Sequence, residues 1–239
     1  MTDRRVRRPN VAPSRAMDFH LPSHVSFGFL GERAVALDLD ADRYLLIAPG
    51  EAAALASLSD HDANYHGTGC IAKFESLLRR RLIASGDGKA VAPVVADALL
   101  YSALEAAPAR RRVPLVEVAG YRASAGLHLR LFGLKATVAR WRRLRTRYRQ
   151  RRVMDYEGEA AVSVAQAYAR ARVLLPARRL CVPDSFALAS LLWRRGIAAD
   201  VHFGVRLNPF MAHAWVQRGD LLLSDKLNTV AEYSPVFRL

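Results

Sequence analysis

The chain has 239 residues, 51% hydrophobic and 24% charged, which excludes a disordered or low-complexity polymer and leaves room for one or two domains, each with a core. Lys and Arg number 36 against 22 Asp and Glu, a formal charge of +14, so anionic surfaces or partners are expected while the fold class stays open. The two cysteines, Cys70 and Cys181, are too few for a disulfide framework and too far apart for a CxxC metal or redox element.

The opening MTDRRVRRPNVAP is basic with no apolar segment behind it, and no apolar run reaches the roughly twenty residues that cross a bilayer. Neither secretion nor a membrane span is expected, and the expected compartment is the cytoplasm. Residues 1–18 read as a flexible basic arm. Behind it, His24–Phe29 and Ala34–Leu39 alternate at period two around the turn residues Leu30-Gly31-Glu32-Arg33, and Arg43–Ile47 follows as a third strand after Asp40-Ala41-Asp42. Pro49-Gly50-Glu51 opens a short helix over 52–58. Ile71, Phe74, Leu77 and Leu78 mark the stripe of a second helix. These elements predict a small α+β module of winged-helix type over 19–95.

The apolar run VVADALLYSAL over 94–104 predicts another helix, and the loose Ala107–Pro114 stretch makes 96–120 the linker region. The second domain is then expected over 121–239. Residues 121–180 hold fifteen Lys and Arg against three acidic residues, which supplies +12 of the total charge. Leu134, Val138, Trp141, Leu144 and Tyr148 form an apolar stripe through the middle of this region, with arginines around the rest of the helix. Arg142, Arg145 and Arg149 are assigned to a basic face that meets a partner protein. Nucleic-acid binding is not expected, because no zinc finger, RRM or KH signature accompanies the charge. A further helix over 160–174 buries Val164, Ala167, Tyr168 and Ala171, and Pro176 ends it.

The last sixty residues carry the chemistry. Cys181 through Gly196 predicts one helix, with Pro183 in its first turn, Phe186, Ala189, Leu192 and Trp193 inward, and Gly196 as its stop. Cys181 then lies at the helix N-terminus, where free backbone N–H groups favour a thiolate. Asp200–Leu207, Ala212–Gln217 and Leu221–Asp225 read as three strands. A three-residue hairpin loop centred on Gly219 would place His213 opposite Asp225 on one face, whereas a two-residue Arg218-Gly219 loop would pair His213 with Ser224 and turn Asp225 away. A Cys at a helix end followed by His and Asp on neighbouring strands is the layout of a thiol nucleophile, its base and the carboxylate that orients the base.

The run Leu180-Cys181 to Ile197, the strand Gly204-Val205-Arg206, the element Pro209-Phe210-Met211-Ala212-His213-Ala214-Trp215-Val216 and Ser224-Asp225 resemble the transglutaminase-like cysteine peptidases of lasso-peptide biosynthesis. The N-terminal strands His24-Val25-Ser26-Phe27, Val35–Leu39 and Arg43–Leu46 resemble the PqqD-like precursor-recognition domain fused to such B proteins. The resemblance implies an α+β chain in which a winged-helix-like, PqqD-like domain precedes a transglutaminase-like, papain-like peptidase domain. It carries the triad to Cys181, His213 and Asp225. It implies that the leader of a precursor peptide adds as a strand to the recognition domain, with Val25, Phe27, Val35, Leu37, Tyr44 and Phe74 as the contact residues, and that the leader–core amide is hydrolysed. It further implies a partner cyclase that resembles asparagine synthetases and uses ATP. No cofactor is expected in this chain.

The rival readings are a non-catalytic precursor-binding adaptor, a basic winged-helix nucleic-acid binder, and acyl transfer to an amine through the same acyl-enzyme. Gly67-Thr68-Gly69-Cys70-Ile71-Ala72 lacks the preceding strand of a dinucleotide site, and His61 and His66 are not read as metal ligands, because no Cys or acidic cluster accompanies them at ligand spacing.

Overall fold

The computed structural model describes residues 19–59, 68–149 and 157–239. The expected basic arm, His61, His66 and Gly67, and the side chains of Cys70 and Arg149, lie outside this set.

The N-terminal half is built on a meander. β1 (Phe19–His20) pairs antiparallel with β5 (Ala84–Ser85), while β2 (Val25–Leu30), β3 (Arg33–Asp38) and β4 (Arg43–Ile47) form a three-stranded sheet in chain order. Leu30 pairs with Arg33, so Gly31 and Glu32 make a two-residue turn, and Gly31 takes the positive φ of 61° that such turns require. Period two then sends the strands' side chains to two different places. Val25, Phe27, Ala34, Ala36 and Ile47 enter a small core with Leu55 of α1 (Pro49–Ser59) and Leu77 of α2 (Thr68–Arg79). Val35 and Leu37, on the opposite face, enter the larger core of the C-terminal half.

That half holds a five-stranded sheet in the order β10 (Ser234–Arg238), β7 (Asp200–Arg206), β8 (Met211–Arg218), β9 (Leu221–Leu222), β6 (Tyr101–Ser102). The helices are α3 (Leu115–Arg149), α4 (Glu157–Val173), α5 (Cys181–Arg194) and the short α6 (Leu227–Val230). Gly133 bends α3 with φ 72° and ψ −177°, and the expected stripe lies beyond this bend, with Leu134, Val138 and Trp141 buried. α5 is the central element. Ten of its residues from Pro183 to Trp193 are buried, the Trp141 indole N–H donates to Ser190 Oγ at 2.9 Å, and the Ser185 hydroxyl ties the helix to Ala214 O of β8 at 2.9 Å. α5 stops as expected: Gly196, at φ 77°, donates to Trp193 O at 3.0 Å while Ile197 donates to Leu192 O at 3.0 Å, a Schellman closure.

The two halves meet where β2 lies against β10. Gly28 allows this close approach, since a Cβ there would run into the Pro235 carbonyl oxygen. The seam explains why Val35, Leu37 and Leu39 belong to the same core as Val201, Val205 and Val236.

Three expectations need correction. Residues 94–104 are not helical: Val94 N–H donates to Phe27 O at 2.7 Å, Leu100 N–H to Asp220 O at 2.9 Å and Ala103 N–H to Leu222 O at 2.8 Å. The run satisfies its backbone on the strands of both halves and so has no need of helical hydrogen bonds. The region 96–120 is likewise no mere linker, because it supplies the edge strand β6 and the start of α3. Finally, Val25, Phe27, Val35 and Leu37 are at most 5% exposed, so these four side chains are core rather than a surface for a leader. Phe74 is part of the small core's margin and stacks on Phe19 with centroids 5.4 Å apart.

Candidate active site

Cys181 begins α5. Its N-cap, Leu180, has no side-chain cap, which leaves the first-turn N–H groups free, while the Asp184 carboxylate accepts the N–H of Leu180 itself at 3.1 Å. Asp184 is itself held by Arg122 at 2.9 Å and by the buried Arg172 at 2.7 Å. Arg172 also donates to Ala177 O at 3.0 Å and Arg178 O at 2.9 Å. This network fixes the chain that enters the helix, and with it the thiol.

His213 stands on β8 and Asp225 follows β9. His213 Nε2 lies 3.2 Å from Asp225 Oδ1, at ion-pair distance but off the line of a hydrogen bond. The route to this pairing differs from both hairpin alternatives. Gln217 pairs with Leu222 and Arg218 with Leu221, so the loop is Gly219-Asp220, with Gly219 at φ 56°, as a type II′ turn requires at its first position. In that register neither Ser224 nor Asp225 would face His213. The ladder instead breaks after Leu223. The Ser224 hydroxyl accepts the Val216 N–H at 2.9 Å and donates to Asp225 Oδ2 at 2.5 Å. The Ser102 hydroxyl of β6 donates to the Asp225 carbonyl at 2.7 Å. Asp225 is thus brought to His213 by side chains that replace strand pairing.

The electrostatics follow from this placement. Burial pushes the Cys181 thiol up, but the hydrogen bonds and charge of His213 and the N–H groups of Ala214 and Val182 outweigh it, leaving the thiol below its ordinary range. Burial works against a charged His213, yet Asp225 and Cys181 together raise its pKa to about 9. Both shifts favour the thiolate–imidazolium form of the pair over the neutral one. With Nε2 turned to Asp225, Nδ1 is the nitrogen left for the sulfur.

The three residues line one cavity of about 350 Å³, together with Arg172, Arg179 and Asp184. Tyr44 approaches Cys181 from the N-terminal half. It packs on the larger core and meets the Phe210 ring edge-on at 5.7 Å. Burial, followed by the Cys181 and Asp42 charges, pushes its hydroxyl up to about 12. Of the six expected leader contacts, Tyr44 is the one set beside the thiol.

Sequence reasoning missed the roles of Asp184, Arg172, Arg122 and Ser102. Asp184 was traceable as an acid in the first turn of the Cys helix; the others had no local signal. The basic face also needs correction at Arg145, which forms an ion pair with Asp200 instead of turning outward, because Asp200 is 9% exposed and needs a counter-charge. Arg142 lies over the Phe237 ring at 5.7 Å.

Residues 126–238 match the family model described as the transglutaminase-like superfamily. The C-terminal region is thus similar to transglutaminase-like folds. No curated protein and no solved structure matches the chain. Among the described residues there is no cluster of ligating side chains that could hold a metal ion, and no helix is long and apolar enough to cross a membrane.

Proposed function

We propose that the protein is the leader peptidase of lasso-peptide maturation. The observation that carries this reading is His213, placed between the Cys181 thiol and the Asp225 carboxylate at a cavity that can take a peptide segment. Cys181 Sγ attacks the carbonyl carbon of the leader–core amide, and the resulting oxyanion lies near the unpaired N–H groups at the start of α5. His213 gives its proton to the core nitrogen as the C–N bond breaks, and the core leaves with a free amine. The leader stays on sulfur as a thioester. Water, losing its proton to His213, attacks that thioester and releases the leader as a carboxylic acid, restoring the thiolate–imidazolium pair.

The N-terminal half is the precursor-recognition element in this reading, with a PqqD-like, winged-helix-like fold. Its support is the meander followed by α1 and α2, in which β4 is an outer strand and offers a backbone edge for strand addition. Leu46 O on β4 receives Arg80 at 2.8 Å, a contact that an added strand would displace. The released core is the substrate of an ATP-dependent cyclase that resembles asparagine synthetases. The protein works in the cytoplasm without a cofactor of its own.

The test is to incubate the precursor encoded beside the gene with wild type and with Cys181→Ala, with and without the neighbouring cyclase, and to follow intact masses. Loss of the leader in wild type alone is expected. Binding without cleavage under every condition would replace the peptidase by an adaptor.

A further inference from the structure

A second cavity, of about 430 Å³, lies in the seam between the two halves, away from Cys181. Its polar lining is one-sided in charge. Lys89 and Ser26 come from the N-terminal half, Arg142, Arg145 and Arg238 from α3 and β10. The carboxylate in contact with this set is Asp200, which Arg145 and Arg238 share through Oδ1 and Oδ2, the latter at 2.6 Å from Arg238. Four cations against one carboxylate leave an excess of three positive charges. Arg142 has only the Phe237 ring as its described side-chain partner, so its guanidinium donors are available to a ligand.

Ser26 is the second, independent observation. It is 7% exposed and its Oγ is a buried polar atom with no hydrogen-bond partner. A buried hydroxyl without a partner costs roughly 1–3 kcal/mol, so such a group inside a cationic cavity has the character of a ligand contact. Its direction is set by the sheet: Ser26 shares a face with Gly28, the residue that touches Pro235, so the hydroxyl points into the seam.

We propose that this seam binds a phosphate group, free or as a phosphomonoester, through Ser26, Arg142 and Lys89 with Arg145 and Arg238 behind them. A dianion matches the charge excess better than a single carboxylate, and guanidinium forks suit its tetrahedral oxygens. Because the cavity takes residues from both halves, an occupied site holds β2 against β10 and so couples the recognition element to the transglutaminase-like domain. The site makes no use of the thiol.

The test is calorimetric titration of the full-length protein with inorganic phosphate and, separately, glycerol phosphate, at fixed ionic strength in chloride. Saturable binding is expected, with affinity lowered at least about tenfold in Ser26→Ala and in Arg142→Gln, both checked for an unchanged circular dichroism spectrum. Tighter binding of glycerol phosphate than of phosphate would mark a monoester as the ligand. Cys181→Ala should bind as wild type does. Absence of saturable binding of either anion to wild type would overturn the proposal, and so would wild-type affinity in both seam variants.

Discussion

At the residue scale the decisive group is His213, whose charge state sets the reactivity of Cys181. Leader removal should rise from the acid side as Cys181 ionises below its ordinary range, and fall as His213 loses its proton at about 9. A pH profile of the cleavage rate that keeps climbing beyond that point would contradict the pairing. Asp225→Asn should keep the fold and lower the rate by roughly 10²–10⁴, measured under single turnover, because the amide carries no charge to hold the imidazolium. The sequence singles out these three residues, a Cys at a helix start, a His on a strand and an Asp at the end of the expected next strand, although that strand stops before Asp225. The path by which Asp225 reaches His213 is not legible there. It depends on Ser224 and Ser102 taking over from the ladder, and a hydroxyl that displaces strand pairing looks in sequence like any other serine.

A different histidine governs acid stability. His202 is 1% exposed, lies flat on Trp215 with centroids 5.5 Å apart, and burial lowers its pKa to about 4. In the unfolded chain it titrates near its ordinary 6.5. Its contribution is therefore intact above about 6.5 and is lost as pH falls towards about 4, amounting to roughly 2 kcal/mol at pH 5. Denaturant midpoints at pH 7 and pH 5 should differ accordingly, and the difference should shrink in His202→Phe.

At the element scale, α5 is positioned by α3 and β8, and the α3 contact centres on Trp141. Trp141→Ala removes a fully buried ring and leaves Ser190 without its indole donor; a loss of about 3–5 kcal/mol is expected in equilibrium unfolding. The helices around this core were readable because their apolar stripes repeat at helical spacing. The 94–104 run failed for the opposite reason, as its alanines and leucines suit a helix while Phe27, Asp220 and Leu222 offer it backbone partners that only the folded molecule brings near. The charge of the basic region also has an element-level explanation. Arg122 and Arg172 serve Asp184, and Arg145 serves Asp200. Part of the basicity is thus internal counter-charge, which composition could not distinguish from a binding face.

At the scale of the whole molecule, the halves share a core, so neither is a detachable accessory. Gly28→Val would place a side chain into the Pro235 carbonyl and cost about 1–3 kcal/mol, read as a lowered unfolding midpoint. A chain beginning at residue 96 would expose the surface that Val35, Leu37 and Leu39 now cover, and should lose cooperative unfolding. The same union brings Tyr44 next to Cys181, a neighbour separated by more than half the sequence and invisible to any local pattern. In the proposed reading, a leader added at β4, the strand that carries Tyr44, would lie on the side of the N-terminal half that approaches the thiol.

The central claim is that the leader acylates Cys181. Hydroxylamine competes with water for a thioester, so adding it to a reaction with the full precursor should yield leader hydroxamate, detected by its mass, in place of part of the leader acid. Wild type should form the hydroxamate and Cys181→Ala should form neither product. Leader loss that persists in Cys181→Ala, or that never yields hydroxamate at any hydroxylamine concentration, would contradict the account.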